Sequence, residues 1–226
     1  MTDRISPALL RLLQLTSPTL PVGAYAYSGG LEHAVNAGWI RHEQACQAWI
    51  IGVMEHSLAG LDLPLLHRLH QAWTRDDTEA VHYWSKFLKA CRESAEQGAE
   101  DHQLGTAMAR LLADLGIEEA RAWIAAAHCN WAAMFSLAAL RWDIAEQHML
   151  QGYLWSWCEN QVAAAIKLLP LGQTAGQRIL LTCGEHIPAC AQGATALTDE
   201  ELGYGAPALA IGSALHEEQY SRLFRS

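Results

Sequence analysis

The stretch from Asp143 to Leu169 constrains the fold more than any other part of the chain. Leu150, Leu154, Cys158, Val162, Ile166 and Leu169 recur every three or four residues and fall close to one face of a helix. Pro170 ends the pattern, because it has no amide proton to continue a helical ladder. An apolar stripe this long needs other helices to cover it. The rest of the chain supplies them, since helical periodicity dominates and alternating β-branched runs are missing.

The punctuation divides the chain into about ten helices. Ser6 and Pro7 start the first, which carries Leu9, Leu10, Leu12, Leu13 and Leu15 and stops at Ser17-Pro18. After a loop through Pro21-Val22-Gly23, Ser28 caps a second helix with Glu32 near its positive end and Gly38 at its exit. A third runs from His42 to Ser57, and a fourth starts at Pro64 with Asp62 as its cap. Asp76 or Asp77 opens a fifth. A charged, alanine-rich helix runs from Arg92 to Leu115 and ends at Gly116. Shorter helices cover 117–127 and 130–141 before the long one. Another lies between Gln173 and Gln192, where Pro188 can bend it, and Thr198 with Glu201 forms a capping box ahead of a closing helix. No polar linker or repeat interrupts the 226 residues. The expectation is all-α: one bundle-like domain over 1–226, with a distinct tail from about 217 to 226.

That tail is unusual in composition. An apolar stripe of Ala208, Ile211 and Leu215 leads into Tyr220, Arg222, Leu223, Phe224 and Arg225. Chain ends are ordinarily polar and frayed, whereas Tyr and Arg are enriched where proteins grip partners. Such a tip either folds back on its own domain or grips another protein.

Charge and composition narrow the function. A formal charge of −9 argues against nucleic acid as a main partner. No uncharged apolar run reaches the roughly 18–20 residues of a membrane span, and Met1–Pro7 opens no signal peptide. Cys46, Cys91, Cys129, Cys158, Cys183 and Cys190 show no C-x-x-C spacing, which fits neither a zinc site nor a disulfide framework. Together these point to a soluble, reduced, cytoplasmic protein.

Catalytic and metal motifs fail one by one. His67 and His70 share a helical face, but no third ligand has useful spacing, so they read as surface histidines. His216-Glu217-Glu218-Gln219-Tyr220 starts like H-E-x-x-H and ends on the wrong residue. Asp76-Asp77-Thr78-Glu79 is explained by a helix start. Leu171-Gly-Gln-Thr-Ala-Gly-Gln177 lacks the lysine of a phosphate loop. No nucleophile–base pair has recognisable spacing, so no catalytic residue, cofactor or metal is expected. Two other stretches are unusual in a purely structural protein. The glycine-rich run Pro21-Val-Gly-Ala-Tyr-Ala-Tyr-Ser-Gly-Gly-Leu-Glu32 suggests close backbone approach. Lys167, off its helix's apolar stripe, is either a snorkelling side chain or a polar contact point.

These pieces together resemble the urease accessory protein family UreF. The resemblance rests on Leu9–Ser17, Leu20-Pro-Val-Gly-Ala-Tyr25 with Tyr27-Ser28 and Gly30-Leu-Glu32, and Ala37-Gly-Trp39. It continues through Asp62-Leu-Pro-Leu65, Cys91-Arg-Glu-Ser94, Lys167-Leu-Leu-Pro-Leu-Gly-Gln173 and the tail from Ala210 to Ser226. Ala24, Gly29 and Ser94 stand where the family commonly has glycine, glutamine and threonine.

The resemblance implies an all-helical dimer without catalysis of its own. It implies assembly with UreD (UreH in some systems), the GTPase UreG and apo-urease, for delivery of nickel to a site where a carbamylated lysine holds two metal ions. It implies a tail that becomes ordered on binding UreD/UreH. By motif match, Tyr25 and Arg222 belong to the region supporting assembly with UreG, and Lys167 and Gln173 to a polar family-typical patch. The expected partner-binding residues are Tyr25, Glu32, Lys167, Gln173, Tyr220, Arg222, Leu223, Phe224 and Arg225. A competing expectation is a regulator of GTP hydrolysis that offers Arg222 or Arg225 to the nucleotide. A direct nickel carrier is a third.

Overall fold

The computed structural model describes residues 7–226, so the Ser6 cap lies outside the described residues. In chain order the helices are α1 (Pro7–Leu15), α2 (Leu31–Asn36), α3 (Glu43–Val53), α4 (Leu63–Thr74), α5 (Thr78–Ala90), α6 (Ala95–Asp114), α7 (Trp131–Arg141), α8 (Glu146–Leu168), α9 (Gln173–Ala194) and α10 (Pro207–His216). The fold is all-α, and the described residues contain no strand. The long helix is α8, shorter than its sequence pattern because Asp143 adopts a left-handed φ of 54° and breaks the ladder before it. Its predicted stripe is buried except for half-buried Ile166, and α9 packs along it. Gly176 brings the two helices close: a side chain there would strike Ile166 at 2.7 Å.

Caps act where donors need partners. Asp77, Ser94 and Asn130 accept the amides of Ala80, Gln97 and Ala133 at the starts of α5, α6 and α7. Ser94 also shortens the predicted sixth helix, leaving Arg92 and Glu93 in the connection before it. The predicted segment at 117–127 contains only a 3₁₀ turn, Glu118–Trp123. The capping box of Thr198 and Glu201 is present.

The largest departure lies between α3 and α4. The sequence predicts a break before Pro64 capped by Asp62. Instead the helix continues through a π-helical segment, Met54–Asp62, and Asp62 stays in right-handed helical geometry. The wider turn admits the proline ring. The carbonyl of Gly60, four residues before Pro64, accepts from the Gly203 amide at 3.3 Å. The resulting helical stretch, Glu43–Thr74, is long and apolar enough to cross a membrane by length and composition, yet two-thirds of its most apolar window is buried against other helices.

Freed from capping, Asp62 enters a charged cluster inside the molecule. Arg92 donates to both Asp62 oxygens at 2.7 and 3.1 Å and to Asp101 at 3.0 Å. The Tyr153 hydroxyl donates to Asp62 at 3.2 Å, and the Trp131 amide to Asp101 at 2.9 Å. Burial, with Asp62 and Asp101 beside it, raises the Tyr153 phenol well above its ordinary range. Removing one partner of a buried charge network is expensive because the other charges stay buried. Arg92→Ala should cost about 3–5 kcal/mol in urea unfolding, whereas Arg121→Ala, whose Glu118 pair is exposed, should fall within about 0.5 kcal/mol of wild type.

Candidate functional site: a docked tail and its anchor

Glu32 organises the site. It lies in the first turn of α2, next to Gly30, whose φ of 76° starts the helix. Gly30 has no side chain because the backbone of α10 lies against it: a Cβ would sit 3.2 Å from the Ser213 amide. Gly212 presses on the Gly30 carbonyl from the other side, at 3.3 Å from its own would-be Cβ. The close contact leaves Glu32 only 3% exposed, facing the chain as it leaves α10.

The Glu32 carboxylate is filled by the tail. One oxygen accepts the Leu223 amide at 2.7 Å and the Gln219 side-chain amide at 3.3 Å. The other accepts the Phe224 amide at 2.9 Å and lies 3.2 Å from His216 Nε2. His216, fully buried, donates from Nδ1 to Glu96 at 2.7 Å. The ring thus lies between the carboxylates of Glu32 and Glu96. Neighbouring His33 is held below the usual imidazole range, first by burial and then by His216. Arg222 completes the frame. It donates to the other Glu96 oxygen at 2.7 Å, to the Gln219 carbonyl at 3.0 Å and to the Glu217 carbonyl.

Beyond Glu32 the tail runs beside the Pro-Val-Gly loop. The Arg225 amide donates to the Ala26 carbonyl, and the Ser28 amide to the Ser226 carbonyl, each at 2.8 Å. The Ser28 hydroxyl also donates to Ser226. Ser28 thus holds the chain end, and its hydroxyl oxygen also accepts the Glu32 amide at 3.3 Å in the first turn of α2, whose N-cap position is taken by Gly30. Phe224 is buried, with the Lys167 ammonium 5.5 Å from its ring centre. The Ser226 hydroxyl donates to Glu100 at 2.7 Å. Burial pushes the Glu100 carboxyl up to about 7, although the Ser226 hydrogen bond favours its ionised form.

The structure therefore brings Tyr25, Glu32, Lys167 and the tail residues into one region, with the tail folded back in the isolated chain. Gln173 stands apart: it opens α9, exposed, with no side-chain hydrogen bond among the described residues. The apolar stripe on α10 faces outward. Ile211 and Leu215 are exposed, and the buried face is Gly212, Ser213 and His216. Tyr220 is fully exposed, and Leu223 and Tyr25 are mostly so.

Sequence reasoning missed His216, which was read only against the H-E-x-x-H motif, and Glu96, which carries no motif at all. It also misplaced His67 and His70. They are only 15% and 14% exposed in their side chains, because tertiary packing brings Glu146 to 2.6 Å from His67. No group of three or more His, Cys, Asp or Glu side chains is placed to hold a metal ion among the described residues. All six cysteines are free.

Comparison with known proteins decides the family. The sequence model of UreF matches residues 40–184. "Urease accessory protein UreF" of Alkalilimnicola ehrlichii is 53% identical, covering all of both chains. The protein of the same name from Teredinibacter turnerae is 51% identical over 96% of this chain and 98% of its own. "Urease accessory protein UreF 2" of Brucella anthropi is 46% identical over 98% of each. The chain belongs to the UreF family of urease accessory proteins.

In this UreF chain the departures noted in the sequence have structural answers. Gly29 has a φ of 55°, and the amide nitrogen of buried Gln161 comes within 3.2 Å of the position a side chain would occupy. Ser94 caps α6 and shares a 2.7 Å hydrogen bond with Ser213 on α10.

Two outcomes test this geometry. Glu32→Gln removes the charge that draws the tail amides, and hydrogen bonds to a charged group contribute about 1.5–3 kcal/mol. Hydrogen exchange at Leu223 and Phe224 should accelerate by about 10–100-fold while the core helices keep their protection. Glu100 sets a pH dependence. Its folded pKa is raised, so its contribution is complete below about 4.5, the ordinary value, and is lost as pH rises through about 7. Unfolding free energy measured from pH 4 to 8 should show this loss, and Glu100→Gln should abolish it.

Proposed function

We propose that this UreF chain is a non-catalytic adaptor in urease maturation, joining UreD/UreH and the GTPase UreG so that nickel reaches apo-urease. The observation that carries this reading is the tail. It is held on buried Glu32 and His216, framed by Glu96 and Arg222, yet it turns Tyr220 and Leu223 outward, with Ile211 and Leu215 of α10 also exposed. Exposed aromatic and aliphatic side chains on an ordered backbone bind with little further loss of conformational entropy. The names of the related urease accessory proteins support the urease context.

The protein works as a cytoplasmic homodimer in this reading. Leu9, Leu10 and Leu13 of α1, all about half exposed, are apolar surface available for such contacts. A dimer mass in light scattering checks this.

A second reading, regulation of GTP hydrolysis by a tail arginine, has one observation in its favour. Arg225 pairs with no carboxylate among the described residues, whereas Arg222 is fully engaged in the frame. Arg222→Ala and a chain ending at Gln219 should both lose co-purification with UreD/UreH and UreG while circular dichroism stays helical. Arg225→Ala separates the two readings: preserved assembly with hydrolysis reduced by orders of magnitude favours the regulator.

A further inference from the structure

A polar cleft of about 480 Å³ lies between the Pro-Val-Gly loop and α6. One face of α6 forms its wall, with Gln103, Thr106 and Arg110 at successive turns. Tyr25 stands at the cleft from the loop, and Arg225 reaches it from the tail. The lining contains two arginines and no aspartate or glutamate. In a chain with 24 acidic and 15 basic residues, that convergence is specific.

The donors in the cleft are unspent. Arg110 makes no hydrogen bond or ion pair among the described residues, although α6 is otherwise rich in paired side chains. Arg225 has only a 3.4 Å contact to Gln103 Oε1. That same oxygen accepts the Tyr27 hydroxyl, so the Gln103 NH₂ faces away from it as a further donor. The Arg225 backbone is fixed to Ala26, which sets the side chain over α6. His102, which is never anionic, brings no negative charge to the pair, and its Nδ1 faces the Cys129 carbonyl at 3.0 Å.

We propose that this cleft receives a carboxylate side chain from a partner protein in urease maturation, clamped between Arg110 and Arg225. The proposal rests on the adaptor reading above and names the chemistry of the partner. Guanidinium groups match carboxylates in planar, paired hydrogen bonds. A protein segment fits better than a free oxyanion because the Tyr25 ring is 68% exposed and the wall beside it is Val22, Ala26 and Ala107. A small ion leaves that apolar surface in water, whereas a peptide covers it and delivers the charge in the same step. Local positive charge also steers an acidic segment against the overall repulsion of a −9 protein.

The test is binding of full-length protein to purified UreD/UreH and to UreG, each by biolayer interferometry at 50 and 300 mM NaCl. Arg110→Glu with Arg225→Glu should weaken binding to one of them by about 100-fold or more and flatten its salt dependence. Arg110→Gln with Arg225→Gln should fall between, and Arg121→Glu should bind as wild type. A charge-reversed acidic residue on the partner should restore binding to the Glu variant. Circular dichroism melts guard against misfolding, and the Gln variant serves if the Glu variant unfolds. Wild-type binding by both double variants overturns the proposal and leaves the adaptor reading intact. Binding of inorganic phosphate or bicarbonate to the cleft, read by arginine Nε–H shifts, with partner affinity indifferent to either anion, also overturns it. Failure of the wild-type protein to bind either partner overturns both.

Discussion

The guanidinium of Arg92 is the constraint on which the helices depend. It belongs to no helix, since Ser94 starts α6 only after it. From the connection it binds Asp62 at the end of the π segment and Asp101 inside α6. Asp62 in turn receives Tyr153 from α8, and Asp101 receives the first amide of α7. One cation thereby fixes the mutual positions of four helical elements. Apolar burial does not discriminate strongly among arrangements of similar helices, while a charge removed from water tolerates only the arrangement that pairs it. The π segment follows from the same requirement. With Pro64 removing one ladder bond, the helix can widen there and turn Asp62 inward instead of ending.

The tail repeats this logic near the surface. Glu32 plays the part of Arg92 with the sign reversed, gathering amides and an imidazole from a segment that sequence alone leaves undecided between gripping and folding back. The structure shows that these alternatives are compatible. Backbone amides and Phe224 face inward, and Tyr220 and Leu223 face outward. A chain end can be docked and still present a binding face.

The sequence made helix identity legible where propensity and capping act locally. The Asp77, Asn130 and Thr198 starts, the Pro170 stop and the face of α8 all follow from neighbours within a few residues. What it hid depends on distance. Asp62 reads as a cap until Arg92 is brought to it, and Glu146 has no sequence relation to His67. The α10 stripe misled because apolar periodicity identifies a helix without saying which face is covered. Here the covered face had to be small, so that Gly212 could meet Gly30. Tyr25, Glu32, Lys167 and the tail were found together through the family resemblance, whereas the Glu32–His216–Glu96 chain has no local signal.

The hydrogen bond from Gly203 to Gly60 also steers the last part of the chain. It fastens the connection between α9 and α10 to the π segment, at the carbonyl left without its usual partner by Pro64. Past that point Tyr204 packs on Gly60 and Gly205 lies beside the Glu93 carboxylate, before α10 and the tail. Gly203 has a φ of 106°, a conformation that glycine adopts without strain, and it leads from this bond towards α10 and the tail. A glycine more than twenty residues from the last residue thus sets where α10 and the tail depart from the π segment.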